Sequence, residues 1–168
     1  LCCHKGVGIA TGIRVGHAAG RRDPLGVSRA GWTGIAVAGG FMLLTAAVFL
    51  AAPRAIVGIY LDLDLAENAP VIGYAVTFLA LGGVFQVFDG VQVAAVGALR
   101  GLKDTRIPMF ITLLAYWLVG MPVGLLFAFV VDLGPRGMWF GLVISLVVAA
   151  ALLTRRFWWQ TRRPAGAS

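Results

Sequence analysis

The chain has 168 residues, of which 60% are hydrophobic and 12% charged, and its formal net charge is +7. Soluble domains carry roughly 45–50% apolar and 25% charged residues, and their surface helices alternate apolar with charged faces. This composition excludes such a domain. It excludes disorder and a collagen-like repeat, and two cysteines are too few for a disulfide scaffold.

In chain order, residues 1–5 (Leu1-Cys2-Cys3-His4-Lys5) form an atypical start with no signal-peptide pattern. Residues 6–19 are apolar apart from Arg14 and His17, and read as the end of a membrane helix whose first part is absent or replaced. A frameshift or truncation would leave such a start. Cys2, Cys3 and His4 lack the separated ligand pairs of a zinc site, and no second cluster completes four ligands, so no metal is assigned to them.

Four stretches follow, 31–52, 71–99, 107–131 and 137–154, and together they hold one charged residue, Asp89. Each is at or near the ~20 residues a helix needs to cross a hydrocarbon core, although 137–154 is marginal by itself. Inside lipid every backbone N–H and C=O must be satisfied within the segment, so all four are expected to be helical. Trp32, Trp139 and the pair Trp158–Trp159 flank these stretches, where amphipathic rings favour the interface. The expected fold is all-α: a polytopic transmembrane bundle of four complete spans plus the end of a fifth.

Loop charges set the orientation. Arg21, Arg22 and Arg29 lie in 20–30, Arg100, Lys103 and Arg106 in 100–106, and Arg155, Arg156, Arg162 and Arg163 in the basic tail 155–168. Between them, Asp62, Asp64 and Glu67 face one Arg54, and Asp132 faces Arg136. The positive-inside rule places the three basic segments, including the C-terminus, in the cytoplasm. The excess charge is therefore topological. No nucleic-acid partner is expected, because the basic residues sit in separate short loops with no recognition motif. The basic loop from Arg100 to Arg106 is expected to anchor topology and meet anionic lipid of the bilayer.

Asp89 stands four residues past the midpoint of 71–99, about 6 Å along the axis toward the basic side. An Asp at a helix centre costs roughly 2.5–3.5 kcal/mol on insertion scales, which makes an intramembrane acid a functional candidate. Gln86 and Gln92 fall on the same helical face, three residues either side. Such a carboxylate can exchange a proton or hold Na⁺ as a hard oxygen ligand, chemistry that suits a carrier coupled to an ion gradient. The alternative is a structural Asp that locks helix against helix. No paired-acid constellation, nucleophile motif or cofactor fingerprint is present, so neither an enzyme nor a cofactor is expected.

Gly83, Gly90 and Gly97 repeat every seven residues, while Gly120/Gly124 and Gly137/Gly141 are small-xxx-small pairs that let helices approach closely. Pro122 is expected to kink the third span by removing one backbone hydrogen bond.

The run Phe85-Gln86-Val87-Phe88-Asp89-Gly90-Val91-Gln92 and the segment Gly97 to Pro108 resemble the multidrug and toxic compound extrusion (MATE) family, NorM-like branch. Tyr116 to Gly124, Ile13 to His17 and Arg29 to Trp32 extend the resemblance over nearly the whole chain beyond about residue 6. It implies twelve helices in two six-helix lobes, expelling cationic or amphipathic small molecules in exchange for Na⁺ or H⁺. This chain would supply the end of the eighth helix and helices nine to twelve, a partial C-terminal lobe whose partner is the N-terminal lobe.

The resemblance also implies that Asp89 is the cation-coupling acid, with Phe85, Gln86 and Gln92 as possible ion or substrate contacts. Sodium-coupled relatives often carry a tyrosine where this chain has Phe85, which leaves Na⁺ and H⁺ both open. A fragment of this kind is expected to be inactive alone. The alternatives are a carrier that flips lipid-linked sugars, from the same superfamily, and a structural or assembly subunit.

Overall fold

The computed structural model describes residues 2–62 and 65–162, with the side chains of Cys2, Cys3, His4 and Ala66 left aside. The described residues are helical, with no strand. Helix α1 spans Cys2–Gly20, α2 Pro24–Ala51, a short α3 Pro53–Val57, and α4 Ala69–Gly101 after a 3-10 turn at Ala66–Asn68. The third long span is composite: α5 (Arg106–Leu114), a π-helical turn (Ala115–Gly120), α6 (Met121–Leu125) and a second π-helical turn (Leu126–Val130). Helix α7 spans Pro135–Arg162.

Four of these are long and apolar enough to cross a membrane: Pro24–Ala51, Ala69–Gly101, Arg106–Val130 and Pro135–Arg162. Three of the helices are longer than the apolar stretches they carry, and the third span matches its stretch in length. Asp23 caps α2, its Oδ1 accepting from the Gly26 N–H at 2.9 Å with Pro24 in the first turn, so the helix starts well before Gly31. At the other end of the chain, α7 continues past Thr154, and residues 155–162, read as tail, are helix. Residues 2–5 likewise belong to α1 and do not form a separate start.

Two tight connections close the same membrane face. Arg22 (φ 55°) ends α1 and Lys103 (φ 61°) ends α4 in the left-handed region. The Asp23 N–H then bonds the Ala18 carbonyl at 3.0 Å, and the Asp104 N–H bonds the Leu99 carbonyl at 3.0 Å, a Schellman closure in both cases.

Helix α4 sits at the centre, against α1, α2 and α7, and the third span packs on α7. Small residues make these joints. A methyl group at Gly141 would lie 2.5 Å from Gly124 Cα, and one at Gly120 would lie 2.9 Å from Ser145 Cβ, so the two small-xxx-small pairs meet each other across antiparallel helices. Gly83 and Gly90 of the seven-residue repeat face α2, while Gly97 faces α1.

The α1 side of that joint is a stripe that sequence reasoning passed over. Gly8 abuts Val93, Gly12 abuts Gly97 and Gly16 abuts Gly101, in the same order along both chains, so α1 and α4 run parallel. Buried positions are largely small, as at Ala38, Ala94, Ala98 and Ala149, while Leu44, Leu118 and Phe129 point outward. That inside-out distribution suits lipid, where helix association relies on close packing. Larger buried side chains gather toward the basic face, where Val15, Leu99, Leu153 and Phe157 are fully enclosed.

Pro122 falls between the two π-helical turns. A mid-helix proline has no N–H to donate and crowds the carbonyl four residues earlier. Wider winding on both sides accommodates it, and such turns are frequent at functional sites.

Candidate functional site

The site begins with α4, a single uninterrupted helix that carries Asp89 in its second half. At about 100° per residue, Asp89 projects between Gln92 and Val93 on the helix surface. Those two residues line a cavity of about 990 Å³ between α1, α4 and the third span. Asp89 therefore stands one turn beyond the cavity, on the sector that faces it.

Across the gap, the Tyr116 hydroxyl donates to Gln92 Oε1 at 3.5 Å, and Asp89 lies three residues before Gln92 on the same face of α4. Gln92 is 8% exposed. Tyr116 belongs to the first π-helical turn, so the widened winding carries the group that reaches back to α4. Asp89, Gln92 and Tyr116 thus form one polar cluster in an apolar setting.

The other sequence candidates lie on its flanks. Phe85 packs edge-on against Trp139 of α7, with ring centroids 6.4 Å apart, and Phe78 packs on the same indole at 5.8 Å. The structure thus gives Phe85 an aromatic neighbour on α7. Gln86 has a buried side-chain nitrogen with no hydrogen-bond partner among the described residues. A buried, unused donor of this kind is uncommon and marks a place where a ligand or water would be stabilised.

Two functional candidates lie outside the sequence-based set. Tyr116 is one; the available signal is a phenol in a span that offers few other polar side chains. Lys5 is the other, a cavity-wall residue of α1. It precedes Gly8 by three residues in a helix parallel to α4, so it stands near the level of Gly90. Arg100 is a second cation on that wall.

Among the described residues, no group of three His, Cys, Asp or Glu could hold a metal ion. The side chains of Cys2, Cys3 and His4 lie outside the described ones.

The MatE family model matches residues 3–126. A probable multidrug resistance protein NorM of Brucella suis biovar 1 is 46% identical over 152 residues, covering 90% of this chain and 32% of that protein. A probable NorM of Xanthomonas campestris pv. campestris is 46% identical over 158 residues, covering 94% of this chain and 33% of that protein. The chain thus spans about a third of the length of the curated relatives it matches. The crystal structure of the eukaryotic MATE transporter AtDTX14 superimposes with a TM-score of 0.79 at 26% identity, over 95% of this chain and 36% of that one. On this family match, a membrane-spanning helical chain with an acid in its central helix belongs to the MatE family.

Proposed function

We propose that this chain forms most of the C-terminal lobe of a multidrug efflux carrier driven by the inward movement of H⁺ or Na⁺. The observation that carries the reading is the cluster of Asp89, Gln92 and Tyr116 beside the cavity, inside a bundle of membrane-spanning helices. The NorM relatives, named for multidrug resistance, support the substrate class.

The chemistry is a competition for one carboxylate. Negative, Asp89 attracts a cationic or amphipathic drug; once H⁺ or Na⁺ has neutralised it, that attraction is lost and the drug leaves. Exchange follows when the two occupants favour different arrangements of the lobes, because a ligand shifts an equilibrium only by its differential affinity. Gln92 and Tyr116 would supply neutral oxygens to the ion and couple α4 to the third span. The loops 20–30 and 100–106 and the end of α7, on one face and rich in Arg and Lys, would lie in the cytoplasm of a bacterial inner membrane. The chain provides one wall of the path, and expressed alone it is expected to move no substrate.

The test joins residues 1–168 to the preceding helices of a NorM relative and reconstitutes the product in vesicles. A fluorescent lipophilic cation should be expelled under an imposed pH or Na⁺ gradient. Asp89→Asn should insert normally and abolish the gradient-driven component; transport at the parental rate would refute the coupling role.

A further inference from the structure

A second cavity, of about 240 Å³, lies at the basic face between α5 and α7, away from the Asp89 cluster. Ile111 of α5 lines it together with Leu152, Arg155, Arg156, Trp159 and Gln160 of α7. The α7 residues recur at helical spacing and so form one stripe, apolar at Leu152 and cationic one turn later. The change of character falls where the apolar run of α7 ends, at Thr154. The cavity therefore has an apolar side toward the bilayer and a charged rim at the water boundary.

Its charges are unequally engaged. Asp104, from the loop after α4, accepts from Arg156 Nε at 2.6 Å and Gln160 Nε2 at 2.7 Å, both on Oδ2. Because only Nε is used, the two terminal nitrogens of the Arg156 guanidinium remain available as donors. Arg155 has its guanidinium 5.5 Å from the Trp159 ring centroid and makes no ion pair among the described residues. Two guanidinium groups and one carboxylate leave a single positive charge at the rim.

We propose that this cavity binds an anionic phospholipid, with the phosphodiester against Arg155, Arg156 and Gln160 and the start of an acyl chain along Leu152 and Ile111. One net positive charge matches a phosphodiester monoanion. A zwitterionic lipid brings its own cation to Arg155 and is disfavoured. Drug-sized ligands occupy roughly 300–1,000 Å³, so the space suits a headgroup and excludes a transported drug. A free phosphate would satisfy the guanidinium groups and leave the apolar side unused.

The test uses the purified 168-residue chain in detergent, with lipids brominated on their acyl chains as quenchers of tryptophan fluorescence. Brominated phosphatidylglycerol should quench the Trp159 contribution, identified with Trp159→Phe, at a lower mole fraction than brominated phosphatidylcholine. Arg155→Gln should weaken the phosphatidylglycerol response about fivefold, the scale of one basic residue at an anionic surface. Arg162→Gln removes a cation that stacks on Trp158 at 4.0 Å, outside the cavity, and should leave the response nearly unchanged.

Equal quenching by the two lipids overturns the proposal, and that comparison needs no variant to fold. An Arg162→Gln loss as large as that of Arg155→Gln also overturns it, by showing a diffuse surface charge. Displacement of the lipid by millimolar inorganic phosphate would reassign the cavity to a free anion.

Discussion

Arg156 Nε donates to Asp104 Oδ2 at 2.6 Å, joining residues 52 positions apart. With Gln160 on the same oxygen, the contact pins the loop between α4 and α5 to the last turns of α7. The side chains are 28% and 13% exposed, so solvent screens the pair only in part. Asp104→Ala should lower stability by about 1.5–3 kcal/mol, the range for hydrogen bonds to charged groups. Thermal unfolding in detergent, followed by circular dichroism, measures this; an unchanged midpoint would show that the pair contributes nothing.

Two glycines separate packing from backbone freedom. Gly141 faces the Gly124 backbone, whereas a methyl group at Gly40 would meet nothing within 4 Å. Gly141→Leu should destabilise by about 2 kcal/mol through overpacking. Gly40→Ala should be neutral or stabilise by up to about 1 kcal/mol through helix propensity. Equal effects at the two sites in the same thermal assay would contradict the close joint between the third span and α7.

In the joined full-length carrier, Tyr116→Phe should slow gradient-driven efflux about two- to fivefold, the scale of one neutral hydrogen bond. Stability should change little, because the 3.5 Å contact to Gln92 is long. Vesicle efflux rates alongside melting midpoints distinguish the two. A stability loss with normal transport would make the hydroxyl a packing element only.

Arg22 adopts a left-handed backbone, φ 55°. A side chain there costs roughly 1–2 kcal/mol that glycine does not incur. Arg22→Gly should therefore raise the thermal midpoint and Arg22→Val should lower it, despite the identical loss of charge. The reverse order would be incompatible with the Schellman closure at the end of α1.

The four spans were legible because lipid leaves the backbone no alternative, and an apolar run of about 20 residues is a direct record of that. That Gly120/Gly124 and Gly137/Gly141 serve close approach was legible for a related reason, but which helix each pair meets was not. Helix ends were harder. The start of α2 at Asp23 is decided in water by a cap, and the run of α7 beyond Thr154 is held by side-chain bonds to Asp104; the apolar pattern carries no trace of either. Pro122 announced a disturbance, but not that it would take the form of two wider turns, one on either side. In the candidate site Asp89 was conspicuous as a lone charge. Tyr116 was hidden, because a partner 24 residues away becomes apparent only when the third span stands across the cavity from α4.

The parallel joint of α1 with α4 has a consequence for biogenesis. Gly12 and the Gly97 it rests on are 85 residues apart in the chain, with α2 and α3 between them. At synthesis rates of about 5–20 residues per second, α1 waits roughly 4–17 s for its mate. During that interval a helix bearing Arg14, His17 and an uncovered glycine stripe has to be sheltered by the insertion machinery or by helices made before it.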